Sequence, residues 1–303
     1  MTIRELRNEE WNAVGDLIHA STNAWYEKNL NRAVFQRDDP SGCQVFPEVY
    51  EKLDPGCCLV AVEEESGRLM GSCFYHPRET HVSLGIMNAH PDFAGCGVAR
   101  ELLAEIVLRA GNLPVRLVSS AMNLDSYSLY TRAGFVPCEL YQDMMLPAGR
   151  SSPERPVGCD RIREATLDDV EALVALEEEV SGIRRAKDFE FFIRNEQGIW
   201  RLFLSESDGG VEGFLASVDH PGSCMLGPGV MRTEEAALAL IHTQLNAIPE
   251  RQPVFLVPAR SSGLIAALYE WGARNCEIHL AQVRGEGQDF RGVTMPTFMP
   301  ETG

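Results

Sequence analysis

Over the first 146 residues the hydrophobic positions change period several times, and each change marks an element. Alternation or short apolar runs predict strands over residues 2–7, 57–63, 68–76, 81–89, 115–119 and 139–146. Spacings of three and four predict helices over residues 9–19, 24–34 and 125–132. A further helix starts at Val98, where Val98, Leu102, Leu103, Ile106 and Val107 share one face. Glu65-Ser66-Gly67 joins the second and third strands as a hairpin, and Gly134 ends the last helix. The stretch before residue 57, rich in Asp, Pro and Gly, reads as a loop.

The pattern fades from Pro147 to Gly158, where Gly149, Ser151, Ser152, Pro153 and Pro156 crowd together, and then the same order returns. A strand at 160–164 leads to a helix opened by Thr166, with Asp169 three residues on in a capping-box-like start. A helix over 186–196 follows, then strands 199–205 and 213–218 around the turn Ser207-Asp208-Gly209-Gly210. Strand 225–230, helix 233–247, strand 253–257, helix 263–271 and strand 277–283 complete the set. Leu129-Tyr130 before Gly134 corresponds to Leu268-Tyr269 before Gly272. The expected fold class is therefore α/β (α+β), with two tandem units, each a mixed, largely antiparallel sheet flanked by helices. Domains are expected at 1–147 and 160–303 with a linker at 148–159. The tail from residue 284 carries no strong periodicity and is expected to drape over the body.

Composition narrows the function more than the fold. With 45% hydrophobic and 23% charged residues in 303, the chain is that of a protein with a sizeable core. A net charge of −17 disfavours nucleic acid and anionic membrane as partners, since both need a positive surface, and favours a cationic small molecule. Nine cysteines without a C-x-x-C pair or zinc-finger histidines point to reduced thiols, no metal and a cytoplasmic setting. The apolar runs are too short to span a membrane.

The most pointed chemistry lies in Phe93-Ala94-Gly95-Cys96-Gly97-Val98-Ala99-Arg100, at a strand-to-helix junction. Small residues let backbone N–H groups close around an anion, and the helix start adds unpaired donors and partial positive charge. Each bond to a charged oxygen is worth about 1.5–3 kcal/mol, enough in sum to hold a diphosphate on an acidic protein. The loop lacks the Gly-Lys-Ser/Thr of a Walker loop, and Arg100 fills the third small position a dinucleotide loop needs.

These residues resemble the GNAT superfamily of acyl-CoA-dependent N-acyltransferases. The resemblance rests on Asn88-Ala89-His90-Pro91 followed by Ala94-Gly95-Cys96-Gly97-Val98-Ala99, and on the later Asn123, Leu129, Tyr130, Gly134 and Phe135. It covers roughly the first 147 residues. Ala94 departs from it, standing where the family has Gln or Arg. The resemblance implies acetyl-CoA as co-substrate, with its pantetheine arm on the backbone of Met87, Asn88 and Ala89 and its diphosphate on Ala94, Gly95, Cys96, Gly97, Val98 and Ala99. Tyr130 would protonate the departing thiolate, and Asn123 would either touch the cofactor arm or simply cap its helix. The general base is not legible; Glu79, His81, His90 and Asp92 are the candidates.

At the equivalent junction the second unit reads Gly227-Pro228-Gly229-Val230-Met231-Arg232-Thr233-Glu234-Glu235, where two carboxylates would meet a diphosphate and Pro228 lacks a donor. A degenerate copy that stabilises the first and walls the acceptor pocket is the expectation. The expected activity is N-acetylation of a small primary amine by direct attack on the thioester. A non-catalytic acyl-CoA sensor or an interaction scaffold is the alternative, and a homodimer is left open.

Overall fold

Strand β1 (Thr2–Glu5) leads into α1 (Trp11–Leu30), a single 20-residue helix where two were expected. No glycine or proline interrupts residues 16–30, so nothing breaks the i→i−4 ladder until Asn31 takes a left-handed conformation at φ 52°. In this computed structural model, which describes residues 1–147, 153–287 and 289–301, a second difference follows at once. The stretch read as a loop contains α2 (Val45–Leu53), with Phe46, Val49, Tyr50 and Leu53 all buried at helical spacing. Pro47 sits in its first turn, where a missing N–H costs nothing.

The first unit continues with β2 (Cys58–Val62), β3 (Leu69–Pro77), β4 (Val82–Ala89), α3 (Val98–Ala110), β5 (Val115–Ser120), α4 (Leu124–Arg132) and β6 (Val136–Met145). The second repeats the order as β7 (Ile162–Glu164), α5 (Val170–Ser181), α6 (Ala186–Arg194), β8 (Trp200–Ser207), β9 (Gly210–His220), β10 (Ser223–Met231), α7 (Glu234–Ala247), β11 (Val254–Pro258), α8 (Ser262–Glu270) and β12 (Arg274–Arg284). A further strand, β13 (Val293–Met295), comes from the tail.

All thirteen strands form one sheet in the order β1-β2-β3-β4-β5-β12-β6-β11-β10-β9-β8-β7, with β13 on β10. The mixed, largely antiparallel architecture is as expected, but the units are interleaved. β12 lies between β5 and β6, and β6 lies between β12 and β11, so each unit's last strand completes the other unit's sheet. The order reads the same from either edge once β1–β6 are matched to β7–β12. The sequence boundary near residues 148–159, part of which lies outside the described residues, is therefore not a boundary of the sheet.

Helices α1, α2, α5 and α6 share one hydrophobic core that runs across both units. Separate cores lie under α3 and α4 and under α7 and α8. A buried ion cluster also bridges the units: Asp54 pairs with His76 (2.6 Å), Arg78 (2.9 Å) and Lys187, and Arg78 reaches on to Asp188 (2.6 Å). Burial alone would raise the Asp54 pKa, but the hydrogen bonds and charges of His76 and Arg78 outweigh it and hold the carboxyl well below the usual range. Among the described residues no helix is long and apolar enough to cross a membrane.

Candidate active site

Strand β4 pairs with its parallel neighbour β5 only at Val82↔Val115 and Ser83↔Arg116. Beyond that point the two strands part. A bulge between the Tyr75↔Leu84 and Cys73↔Met87 pairs turns the end of β4, and Met87, Asn88 and Ala89 keep only β3 as partner. One backbone edge of these residues therefore opens into a wedge between β4 and β5, ready to accept an extended ligand as a strand would be accepted.

Past the wedge, the chain makes a tight turn at Pro91–Phe93 and then the glycine loop. Gly95 and Gly97 both have φ +80°, and a Cβ on Gly95 would meet open space. Two of the six amides expected to cradle phosphate are already engaged: Ala94 N donates to Pro91 O (3.1 Å) and Cys96 N to Phe93 O (3.1 Å). The first helical bond of α3 is Glu101 N to Gly97 O. The N–H groups of Gly95, Gly97, Val98, Ala99 and Arg100 consequently have no hydrogen-bond acceptor among the described residues. The Arg100 guanidinium, which the sequence reading left out of the site, lies 3.3 Å from where a Cβ on Gly97 would sit and is paired with Glu101 (2.9 Å). The free amides thus begin a residue or two nearer the helix than the expected cradle.

Tyr130 lies near the end of α4, 6% exposed, with its ring edge-on to Phe135. Burial holds its phenol well above the ordinary value, with the charges of Cys73 and Glu301 adding to the push, so it stays protonated at neutral pH. Asn123 is the N-cap of α4; its side-chain oxygen accepts from Ser126 N (3.1 Å), which leaves only its amide nitrogen for a ligand.

Residues 11–135 match the model of the acetyltransferase (GNAT) family, and residues 173–286 match that of an acetyltransferase (GNAT) domain. The chain is a tandem member of the GNAT family. Solved structures agree on the fold. A proposed acetyltransferase from Pyrococcus horikoshii aligns with TM-score 0.76 at 14% identity, over 100% of this chain and 95% of its own. A GCN5-related N-acetyltransferase from Sphaerobacter thermophilus gives 0.61 at 19%, over 96% and 98%. A tandem GNAT protein from the clavulanic acid biosynthesis pathway gives 0.60 at 16%, over 93% and 97%. No curated protein sequence matches the chain.

Within this GNAT chain the four candidate bases are occupied elsewhere. Glu79 is paired with Arg184 (2.7 Å) and Asp92 with Arg68 (2.8 Å) on the surface. His81 lies beside the paired end of β4, bonded to Ser83 (3.0 Å), and His90 accepts from Asp92 N (3.1 Å). Each of the four thus has at least one partner of its own.

The same GNAT wedge recurs between β10 and β11, which pair only at Met225↔Val254 and Leu226↔Phe255. There the edge is taken. β13 runs antiparallel along β10 through Gly229↔Met295, Val230↔Thr294 and Met231↔Val293. The tail expected to drape over the body is therefore a built part of the sheet. Periodicity missed it because three residues are too few to show a period. At the start of α7, Thr233 caps Ala236 N (3.2 Å), and Glu234 accepts from Leu264 N (2.6 Å) at the start of α8.

On the α1 and α2 face the second unit also reaches the first wedge. Glu277, on β12, accepts from Ser120 Oγ (2.6 Å), Tyr26 (3.0 Å) and Arg32 (2.9 Å), and His279 pairs with Asp143 (2.8 Å). The sequence reading found none of these residues, because it kept strands of the two halves apart.

Proposed function

We propose that the first unit transfers an acetyl group from acetyl-CoA to a primary amine of a small molecule, in the cytoplasm. The observation that carries this reading is the row of free amides from Gly95 to Arg100 at the head of α3, standing directly beyond the open edge of β4. That arrangement suits a diphosphate joined to a long amide-bearing arm. Gly95, Gly97, Val98, Ala99 and Arg100 would hold the diphosphate, and Met87, Asn88 and Ala89 would hydrogen-bond the arm.

With the arm in the wedge, its thioester faces Tyr130. The amine attacks the carbonyl carbon, the C–N bond forms as the C–S bond breaks, and the thiolate takes the Tyr130 proton. Burial keeps the Tyr130 phenol protonated, so its O–H is in place to hydrogen-bond the sulfur as charge develops there, and the proton it gives up is replaced by the one the new amide nitrogen sheds. The net charge of −17 gathers a cationic amine. The second unit has lost its own coenzyme site: β13 occupies the edge the arm would need, Pro228 lacks a donor and Glu234 sits at the helix start. Its β12 instead completes the first unit's sheet and lines the acceptor side.

Thiol release from acetyl-CoA over a panel of amines tests the reading, with coenzyme-dependent thermal stabilisation measured in parallel. Stabilisation together with thiol release by at least one amine supports it. Stabilisation without release by any amine leaves a coenzyme-binding protein and defeats the transferase.

A further inference from the structure

Where the two units meet, a cavity of about 30 Å³ lies between α5, the central strands β5, β6 and β12, and the tail. Arg116, on β5, lines it and is only 8% exposed. Among the described residues its guanidinium makes one hydrogen bond, a long one from Nη1 to the Ser181 carbonyl (3.4 Å), and lies over the Phe290 ring at 5.1 Å. Glu177, the carboxylate that lines the cavity, is held by Arg185 through Nε (2.9 Å) and Nη2. Asp188, whose charge also reaches Glu177, is taken by Arg78 (2.6 Å). Two guanidiniums therefore share one carboxylate, and the positive charge of Arg116 is left over. Burial is the largest influence on this group and lowers its pKa from the ordinary arginine value, with Cys138, Tyr141 and Glu177 pushing it back up.

A buried charge without a counter-ion is among the costliest features a core can hold, so native structures pair it with an opposite charge. Here the partner has room to come from outside the chain. The volume exceeds the ~10–15 Å³ that one water needs and is far too small for a coenzyme. Leu117, Val118 and Ile183 make much of the remaining wall apolar, which suits a singly charged guest and not a strongly hydrated dianion. Tyr141 and Thr294, also on the wall, bond to each other (3.0 Å), which leaves one of their two hydroxyl protons to donate. We propose that Arg116 holds a small planar oxyanion of single charge, of the formate or bicarbonate class, in this cavity. The guanidinium fork matches two oxygens on one carbon, and one such anion balances the one charge left over. Arg116 and Tyr141 come from the first unit, and Ser181, Phe290 and Thr294 from the second, so the anion ties the two units together. Arg116 stands at the paired end of β4 and β5, opposite Ser83, and the open edge at Met87, Asn88 and Ala89 is left to the coenzyme.

The test follows the melting temperature of the full chain as wild type, R116M and R116K, in buffer freed of chloride and bicarbonate. Sodium formate, bicarbonate, chloride or sulfate is then added at matched ionic strength. Formate and bicarbonate are expected to raise the wild-type melting temperature saturably, by about 2–4 °C, chloride by less, and sulfate no more than it does in R116M. R116M should lose the saturable rise and melt no lower than wild type without anion, because methionine removes the uncompensated charge. R116K keeps a charge but not the fork, and should need about tenfold more formate for half its effect. No saturable rise in wild type, or an equal rise in R116M, overturns the site. An R116M chain that fails to fold, or melts well below wild type without anion, overturns it as well, since Arg116 is then already satisfied within the protein. A chloride response equal to that of formate overturns the assignment to a planar oxyanion.

Discussion

The wedge between β4 and β5 and the wedge between β10 and β11 are built from matching strands in matching order, and they end in opposite states. In each, a parallel pair holds for two residues and then parts, and a bulge turns the departing strand. In the first, the departing edge is bare and leads to a helix whose leading amides are free. In the second, that edge carries β13, and the helix beyond it is capped by Thr233. A backbone edge in a protein interior must be satisfied by something. The first unit's edge is open and the second's is filled by the chain's own tail; on the proposed reading one copy binds the coenzyme and the other holds the body together.

The comparison presumes that the two units are one body, and the largest effect is expected where that is broken. Asp54→Ala leaves Arg78 and Lys187 without their shared carboxylate and should cost about 3–5 kcal/mol, seen by denaturant unfolding. A single transition for the whole chain is expected, since the sheet is continuous. The pH dependence follows the same group. Because the folded Asp54 pKa is depressed, its stabilisation is present above the unfolded value near ~4 and is lost as the pH falls below it. The melting temperature should drop on acidification below about pH 4, and less steeply in Asp54→Ala.

Next in size, Gly97→Glu puts a side chain and a negative charge into the amide row at φ +80°. The stabilisation of about 2.7 kcal/mol expected at coenzyme concentrations 100 times the dissociation constant should vanish in a thermal shift assay. If coenzyme still stabilises this variant, the first wedge is not its site. Tyr130→Phe should lower kcat by about 100-fold and leave that stabilisation intact. The smallest effect belongs to Asn123→Ala. Loss of the cap at the start of α4 should cost about 1 kcal/mol in unfolding, with coenzyme affinity unchanged; a large loss of affinity would restore the ligand role the sequence left open.

Local chemistry was legible in the sequence, and pairing across distance was not. The glycines at 95 and 97 declared a loop that bares backbone donors, because only glycine takes φ +80° freely at two nearby positions. Tyr130 followed only from the family resemblance, through Leu129-Tyr130 before Gly134-Phe135. Helix α2 was hidden by Pro40 and Gly42 just before it, although Phe46, Val49, Tyr50 and Leu53 carried the period. Hydrophobic period names the two faces of a strand and says nothing of its neighbours, so the exchange of β6 and β12 left no mark on the pattern. The same holds for β13, which pairs with β10 only in the folded chain. The sequence by itself determined the two copies, most of their elements and the glycine loop, all of which depend on residues close along the chain. Which wedge stays open and which strand completes which unit were decided by the tertiary structure, since each is a contact between segments more than sixty residues apart.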